Sequence, residues 1–114
     1  MDDCIFCKIA AGKVGKLIYE DDEVAAFDDL NPQAPVHVLI VPKKHIARIS
    51  DVMNDSDVCL MGKIVVAANK IAADRGISQD GYRLVINCNE GAGQSVWHVH
   101  FHLLGGRSLS WPPG

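Results

Sequence analysis

Three of the chain's five histidines fall within seven residues, His98-Val99-His100-Phe101-His102-Leu103-Leu104. Read as a β-strand, strict alternation puts Val99, Phe101 and Leu103 on one face and all three histidines on the other. Successive imidazoles would then stand about 6.5–7 Å apart on one surface. Imidazole titrates near neutral pH, so such a row can combine a nucleophile, a phosphate ligand and a proton relay. The H-x-H spacing also chelates metals, which leaves open a metal-dependent hydrolase built on His98, His100 and His102.

The segment before these histidines is Asn89-Glu90-Gly91-Ala92-Gly93-Gln94-Ser95. Its two glycines let backbone approach a ligand closely, and Gln94 and Ser95 add donors. It is neither a G-x-x-x-x-G-K-[ST] loop nor a G-x-G-x-x-G fingerprint. Alone it reads as a hairpin loop, and adjacency to three histidines is what makes it a phosphate-binding candidate. A second chemistry lies in Cys4-Ile5-Phe6-Cys7, the C-x-x-C spacing that chelates zinc. Free thiols are the alternative, and a redox pair is weaker because no strand precedes the motif. Cys59 and Cys88 sit in apolar runs and read as core residues.

The elements that must position these groups follow from periodicity. Ile5 to Ala11 reads as a short helix that Gly12 ends. Leu17 to Glu20 and Val24 to Asp28 read as strands around the turn Asp21-Asp22. Pro32 and Pro35 make 31–35 a loop, and Val36 to Val41 is a strand that Pro42 closes. A long helix is expected from about Asp57 to Asp74, capped from Asn54, Asp55 or Ser56 and stopped by Gly76. Met61, Ile64, Val65, Ala68, Ile71 and Ala72 follow the spacing of its buried stripe. Tyr82 to Asn87 and His98 to Leu104 complete five strands. The expectation is an α+β domain, 1–114, with a mainly antiparallel sheet, one long helix and one short one.

Composition narrows the partners. At 114 residues, 48% apolar and 22% charged, the chain has the size and make-up of one globular domain. Net charge is −3 without a basic cluster, which argues against duplex nucleic acid and leaves a small anionic ligand bound by backbone N–H groups. The longest apolar run, Ile64 to Ala68, is far short of a membrane span. No signal-peptide core follows the acidic start, so the expected location is the cytoplasm.

Three segments carry a family resemblance. Gln94-Ser95-Val96-Trp97-His98-Val99-His100-Phe101-His102-Leu103-Leu104-Gly105-Gly106-Arg107 resembles the histidine-triad (HIT) signature H-φ-H-φ-H-φ-φ, where φ is apolar. Asp29-Leu30-Asn31-Pro32-Gln33-Ala34-Pro35-Val36-His37, followed by Ile40-Val41-Pro42-Lys43-Lys44-His45-Ile46, resembles the second signature of that family. The ending Trp111-Pro112-Pro113-Gly114 is similar to the nucleotide-binding branch, the adenosine phosphoramidases. The resemblance runs from Cys4 to Gly114 and implies a HIT-like fold.

It also implies hydrolysis of purine nucleoside phosphoramidates in two steps. His100 corresponds to the nucleophile that becomes nucleotidylated, with His102 and the loop backbone, Gly93 and Gln94 included, on the phosphate oxygens. Ser95 matches the serine beside the leaving nitrogen, His98 the residue orienting His100, and His37 a relay partner. Asp29 matches the ribose carboxylate and Asn87 a polar residue near phosphate and ribose. Leu30, Phe27, Phe6, Ile9 and Val14 match the base pocket. Relatives imply a structural zinc held by Cys4, Cys7, His45 and His98, and a homodimer whose Trp111 borders the neighbouring site. No metal is implied for the chemistry itself. A nucleotide-binding regulatory protein using the same site is the second possibility. The departures are Val14-Gly15 for the usual Ile-Pro, Trp97 for tyrosine or phenylalanine, and Ser110 where some relatives carry histidine.

Overall fold

A computed structural model describes residues 3–114. The elements run α1 (Ile5–Ala10), β1 (Tyr19–Glu20), β2 (Val24–Asp28), β3 (Val36–Pro42), α2 (Asp55–Asp74), β4 (Tyr82–Ile86) and β5 (Phe101–Gly105), with short 3₁₀ turns at Ile49–Asp51 and Glu90–Ala92. The five strands form one antiparallel sheet in the order β1-β2-β3-β5-β4. Among the described residues no helix is long and apolar enough to cross a membrane.

Alternation along β2, β3 and β5 divides the sheet into two faces. One face carries Val24, Ala26, Val38, Ile40, Phe101 and Leu103, and α2 packs on it through Leu60, Ile64, Ala67, Ala68 and Ile71. The small alanines let the helix approach closely, and each fully buried aliphatic such as Ile64 contributes roughly 1.5–3 kcal/mol. The other face carries Ala25, Phe27, Leu39 and Val41, on which α1 seats Phe6 and Ala10. α1 is too short to cover it, so the part nearer β5 stays open as a site.

α2 starts two residues before the expected Asp57, because the Asn54 side chain caps it by accepting from the Asp57 N–H at 2.8 Å. It stops where Gly76 turns into the left-handed region at φ 74°, with Ile77 N–H returning to the Ala72 carbonyl. Two side chains on α2 depart from expectation. Val65 is exposed rather than part of the buried stripe, and Cys59 is exposed rather than core. Their positions point away from the sheet once Ile64 and Ala68 face it. Cys88, just beyond β4, is half-buried. β4 also ends one residue short of the expected Asn87.

The larger correction concerns the histidine strand, which begins at Phe101 and not at His98. The β3–β5 register pairs Ile40 with Phe101 and would carry Val99 to Pro42. Pro42 has no N–H to give, and its carbonyl accepts instead from the His98 ring Nε2–H at 2.8 Å. Val99 N–H turns to the Ile46 carbonyl at 2.7 Å. Residues 98–100 therefore leave the ladder and are fastened to the segment after β3.

Candidate active site and metal cluster

On the open side of the sheet lies a cavity of about 530 Å³. Phe6, Ile9, Val14, Phe27 and Leu39 supply apolar wall, and Asp29, Ser95, His100 and His102 bring polar atoms to it. Leu30 also lines it, at the rim, since it is fully exposed. The cavity thus gathers most residues singled out in the sequence. Ile5, Gly15, Lys16, Ile18, Asp28, Leu39 and Val96 line it too and were not foreseen. Leu39 sits opposite both Phe27 and His102 in register, a placement that exists only once the strands pair.

Asn87, Gly93 and Gln94 do not line the cavity. Gln94 is buried, and both its side-chain donors are committed, to the Ala47 carbonyl at 2.8 Å and to the Val96 carbonyl at 3.1 Å. Its Oε1 accepts from Asn89 N–H at 2.9 Å. The side chain therefore braces the glycine-rich loop and is not free to grip a ligand. Gly93 takes φ 92° at the end of the turn Glu90–Ala92, a conformation a side chain would strain.

Hydrogen bonds assign the ring protons. His100 Nδ1 lies 2.8 Å from the His98 carbonyl, an obligate acceptor, so Nδ1 carries the proton and Nε2 a free lone pair. The atom of His98 placed to orient His100 is thus its backbone carbonyl. Gln33 N–H donates to His37 Nδ1 at 2.9 Å, which leaves the His37 proton on Nε2. That Nε2–H faces His102 Nδ1 at 2.9 Å and Asp29 Oδ2 at 3.3 Å. His102 Nδ1 is consequently an acceptor, and its own proton sits on Nε2. One wall residue is therefore a bare nucleophilic nitrogen and its neighbour a donor, their rings 5.1 Å apart.

Burial, then the neighbouring His100 and His37, push the His102 pKa down to about 4, with Asp29 opposing weakly. His102 stays neutral near pH 7 and keeps its donor role. Burial also lowers His98, against the pull of the Pro42 carbonyl. The folded pKa of His102 lies below its unfolded value of about 6.5, so between those pH values the unfolded chain binds a proton the folded one refuses. Stability should be flat above about pH 6.5 on this account and fall as pH drops toward about 4. Melting temperatures from pH 7 to pH 4.5 should show that fall, and His102→Gln should reduce its slope. An unchanged slope in the variant would contradict the assignment.

Next to His100, but on the α1 side, Cys4, Cys7, His45 and His98 bring their ligand atoms together. His98 Nδ1 lies 3.4 Å from both sulfurs, and His45 Nδ1 lies 3.3 Å from Cys7 Sγ. A tetrahedral zinc with two thiolates and two imidazoles has a sulfur–nitrogen edge of about 3.6 Å, so these spacings suit it to within a few tenths of an ångström. The tautomer fits as well, because the Pro42 carbonyl takes the His98 Nε2–H and frees Nδ1 as a ligand. Burial and the Cys4 thiol push the Cys7 thiol up to about 11, a bias that a bound cation would offset. The four residues could hold a metal.

Asp29, His37 and His102 form a second cluster of potential ligands. A metal on His37 Nε2 would force that ring's proton onto Nδ1, against the Gln33 N–H that already points there. The second cluster is therefore built for proton placement rather than for a cation.

The chain has relatives of similar sequence and fold. The HIT domain matches residues 12–109, and the chain belongs to that family. It is 45% identical to the purine nucleoside phosphoramidase of Escherichia coli over 109 residues, which are 95% of this chain and 91% of that protein. A HIT family hydrolase from Legionella pneumophila superposes with TM-score 0.94 at 53% identity, covering 98% of this chain and 100% of that one. A zinc-bound histidine triad family protein from Mycobacterium smegmatis superposes with TM-score 0.76 at 29% identity, covering 93% and 76%.

Proposed function

We propose that the chain hydrolyses purine nucleoside phosphoramidates through a covalent nucleotidyl group on His100. The observation that carries this is the 2.8 Å bond from His100 Nδ1–H to the His98 carbonyl, which leaves Nε2 as the free nitrogen on a cavity of nucleotide size. In the first step the Nε2 lone pair attacks phosphorus, the P–N bond breaks, and the departing nitrogen takes a proton, with the Ser95 hydroxyl as the donor at hand. The imidazole gains positive charge as the bond forms, which strengthens its hydrogen bond to the His98 carbonyl. The His102 Nε2–H supplies a donor for the phosphoryl oxygen, where charge develops. In the second step water attacks phosphorus and gives up a proton that restores the Ser95 hydroxyl, the P–Nε2 bond breaks, and the electron pair returns to His100 with release of the nucleoside monophosphate.

The remaining roles follow from position. Asp29 accepts from ribose hydroxyls, its Oδ1 fixed by Asn31 N–H at 2.9 Å, and Phe6, Ile9, Val14, Phe27 and Leu30 receive the base. Gly93 and Gln94 act by shaping the loop that presents Ser95, and Asn87 stands outside the cavity. We assign the four-ligand cluster to a structural zinc, held by Cys4, Cys7, His45 and His98, and the Mycobacterium relative supports that choice. Against a metal-dependent hydrolase built on His98, His100 and His102 stands the His98 ring, whose Nδ1 faces Cys4 and Cys7 and whose Nε2–H is taken by the Pro42 carbonyl. The test is incubation with an adenosine 5′-phosphoramidate: repeated release of adenosine monophosphate and amine is expected. Binding of the monophosphate without turnover would make the chain a nucleotide-binding protein instead.

We also propose a two-fold homodimer. Val58, Val65 and Val66 leave an exposed apolar strip on α2, as a self-complementary interface requires. Arg83 anchors the C-terminal arm by donating to the Ser110 carbonyl at 2.9 Å and lying 5.9 Å from the Trp111 ring, while the indole stays exposed. An anchored arm with an exposed indole suits docking on a neighbour's rim. Light scattering should give the dimer mass, and a monomer would contradict it.

A further inference from the structure

The metal cluster and the attacking nitrogen share one residue. The His98 ring, fully buried, faces Cys4 and Cys7 with Nδ1 and the Pro42 carbonyl with Nε2–H. The His98 carbonyl accepts the Nδ1–H of His100. Because β5 begins only at Phe101, no ladder holds residues 98–100. Besides the burial of Val99 in the core and the packing of His100 on Phe6, two polar contacts fasten them, the His98 ring and the bond from Val99 N–H to the Ile46 carbonyl. Ile46 follows His45, whose ring packs edge-on against His98 at 5.1 Å and reaches Cys7 with Nδ1. The cluster is thus one of the fastenings of a stretch that lies outside the ladder.

We propose that Cys4, Cys7 and His45 are positioning residues for the attacking imidazole, holding the His98 carbonyl where it fixes the orientation and tautomer of His100. The inference rests on the function proposed above for its consequence in rate, and on geometry alone for its consequence in structure. When a zinc-class cation draws the four ligands together, the His98 ring cannot turn and its carbonyl stays on His100. When the clamp is open, the carbonyl is free to drift and His100 gains access to the tautomer with its proton on Nε2. That tautomer has no lone pair to give to phosphorus. The cluster would then control the fraction of molecules able to react, without touching substrate. Outer residues that orient a working imidazole typically matter by about ten- to a hundredfold.

The experiment compares zinc-loaded protein, the same protein stripped by chelator, and stripped protein refilled with cobalt(II), each verified as folded by circular dichroism. Metal analysis of protein prepared without chelator should find about one zinc per chain. Imidazole ¹⁵N spectra of the loaded form should show His100 as the single Nδ1–H tautomer, and the stripped form a mixture. The single-turnover rate on an adenosine phosphoramidate should fall about tenfold or more on stripping, with monophosphate affinity within about threefold, and cobalt should restore both spectrum and rate. Cys7→Ser should copy the stripped form, and if it fails to fold, stripping and refilling of the natural chain carry the test. A folded stripped protein with the loaded tautomer and the loaded rate overturns the proposal, as does protein that takes up no metal. If the loaded protein does not turn over at all, the proposed function fails, while the tautomer comparison still decides the positioning role.

Discussion

Replacing His100 with alanine should lower phosphoramidate turnover by about four to six orders of magnitude while changing adenosine monophosphate affinity by less than about tenfold. The size of the effect follows from the bond His100 makes. Removing a hydrogen-bond donor weakens a transition state, whereas removing the bond-forming nitrogen abolishes the pathway. The affinity should be spared because the proposed sites for base and ribose lie elsewhere, on the wall of Phe6, Ile9 and Phe27 and at Asp29. His100 packs edge-on against Phe6 with centroids 5.0 Å apart, so truncation leaves a gap at one end of the pocket and not a collapsed one. Turnover of the variant at the natural rate would show that another group attacks phosphorus. Ser95→Ala should cost far less, since water can take over proton delivery to the leaving nitrogen.

The second large effect belongs to the pair His37 and His102. His102→Ala removes the donor facing the phosphoryl oxygen and should cost about a hundred- to a thousandfold in kcat. His37→Ala should cost a large part of the same amount, although His37 reaches the cavity only through His102. Its Nε2–H keeps His102 Nδ1 in the accepting role at 2.9 Å and thereby keeps the His102 proton on Nε2. Without it, His102 can move its proton to Nδ1 and present a lone pair to an anionic oxygen. The two residues therefore act as one unit, and the double variant should be scarcely worse than His102→Ala alone. Single-turnover rates of the three variants measure this directly. Losses that multiply would show that His37 acts independently.

How much of this was legible in the sequence depends on whether a feature is local. The helices, the turn Asp21-Asp22, the stop at Gly76 and the five strands were readable because each rests on nearby residues. So was the gathering of the histidines, since His98, His100 and His102 all end on the α1 side of the sheet. The start of β5 was not readable from alternation. It is decided by Pro42, which stands opposite Val99 only once β3 and β5 pair, and which removes the donor the ladder would need. The commitment of the Gln94 side chain was hidden for a similar reason. Its donors go to Ala47 and Val96, and Ala47 is distant in sequence. The exposure of Val65 and Cys59 reflects which stripe of α2 the sheet selects, a choice between adjacent positions that periodicity alone leaves open. The division of labour in His98, ring to the cysteines and carbonyl to His100, arises only in the folded chain, because a motif specifies residues and not which atom of a residue is used.

The central claim is that phosphorus is transferred to His100 Nε2 before it reaches water. Its most direct measurement is to mix enzyme with excess adenosine phosphoramidate and quench within the first turnover in alkaline denaturant, which preserves a nucleotidyl-imidazole. Peptide mass spectrometry then locates any adduct. One nucleotidyl group on the imidazole of His100, formed and lost at rates that account for turnover, is the predicted result. Steady turnover with no adduct, or an adduct on a different residue, would contradict it.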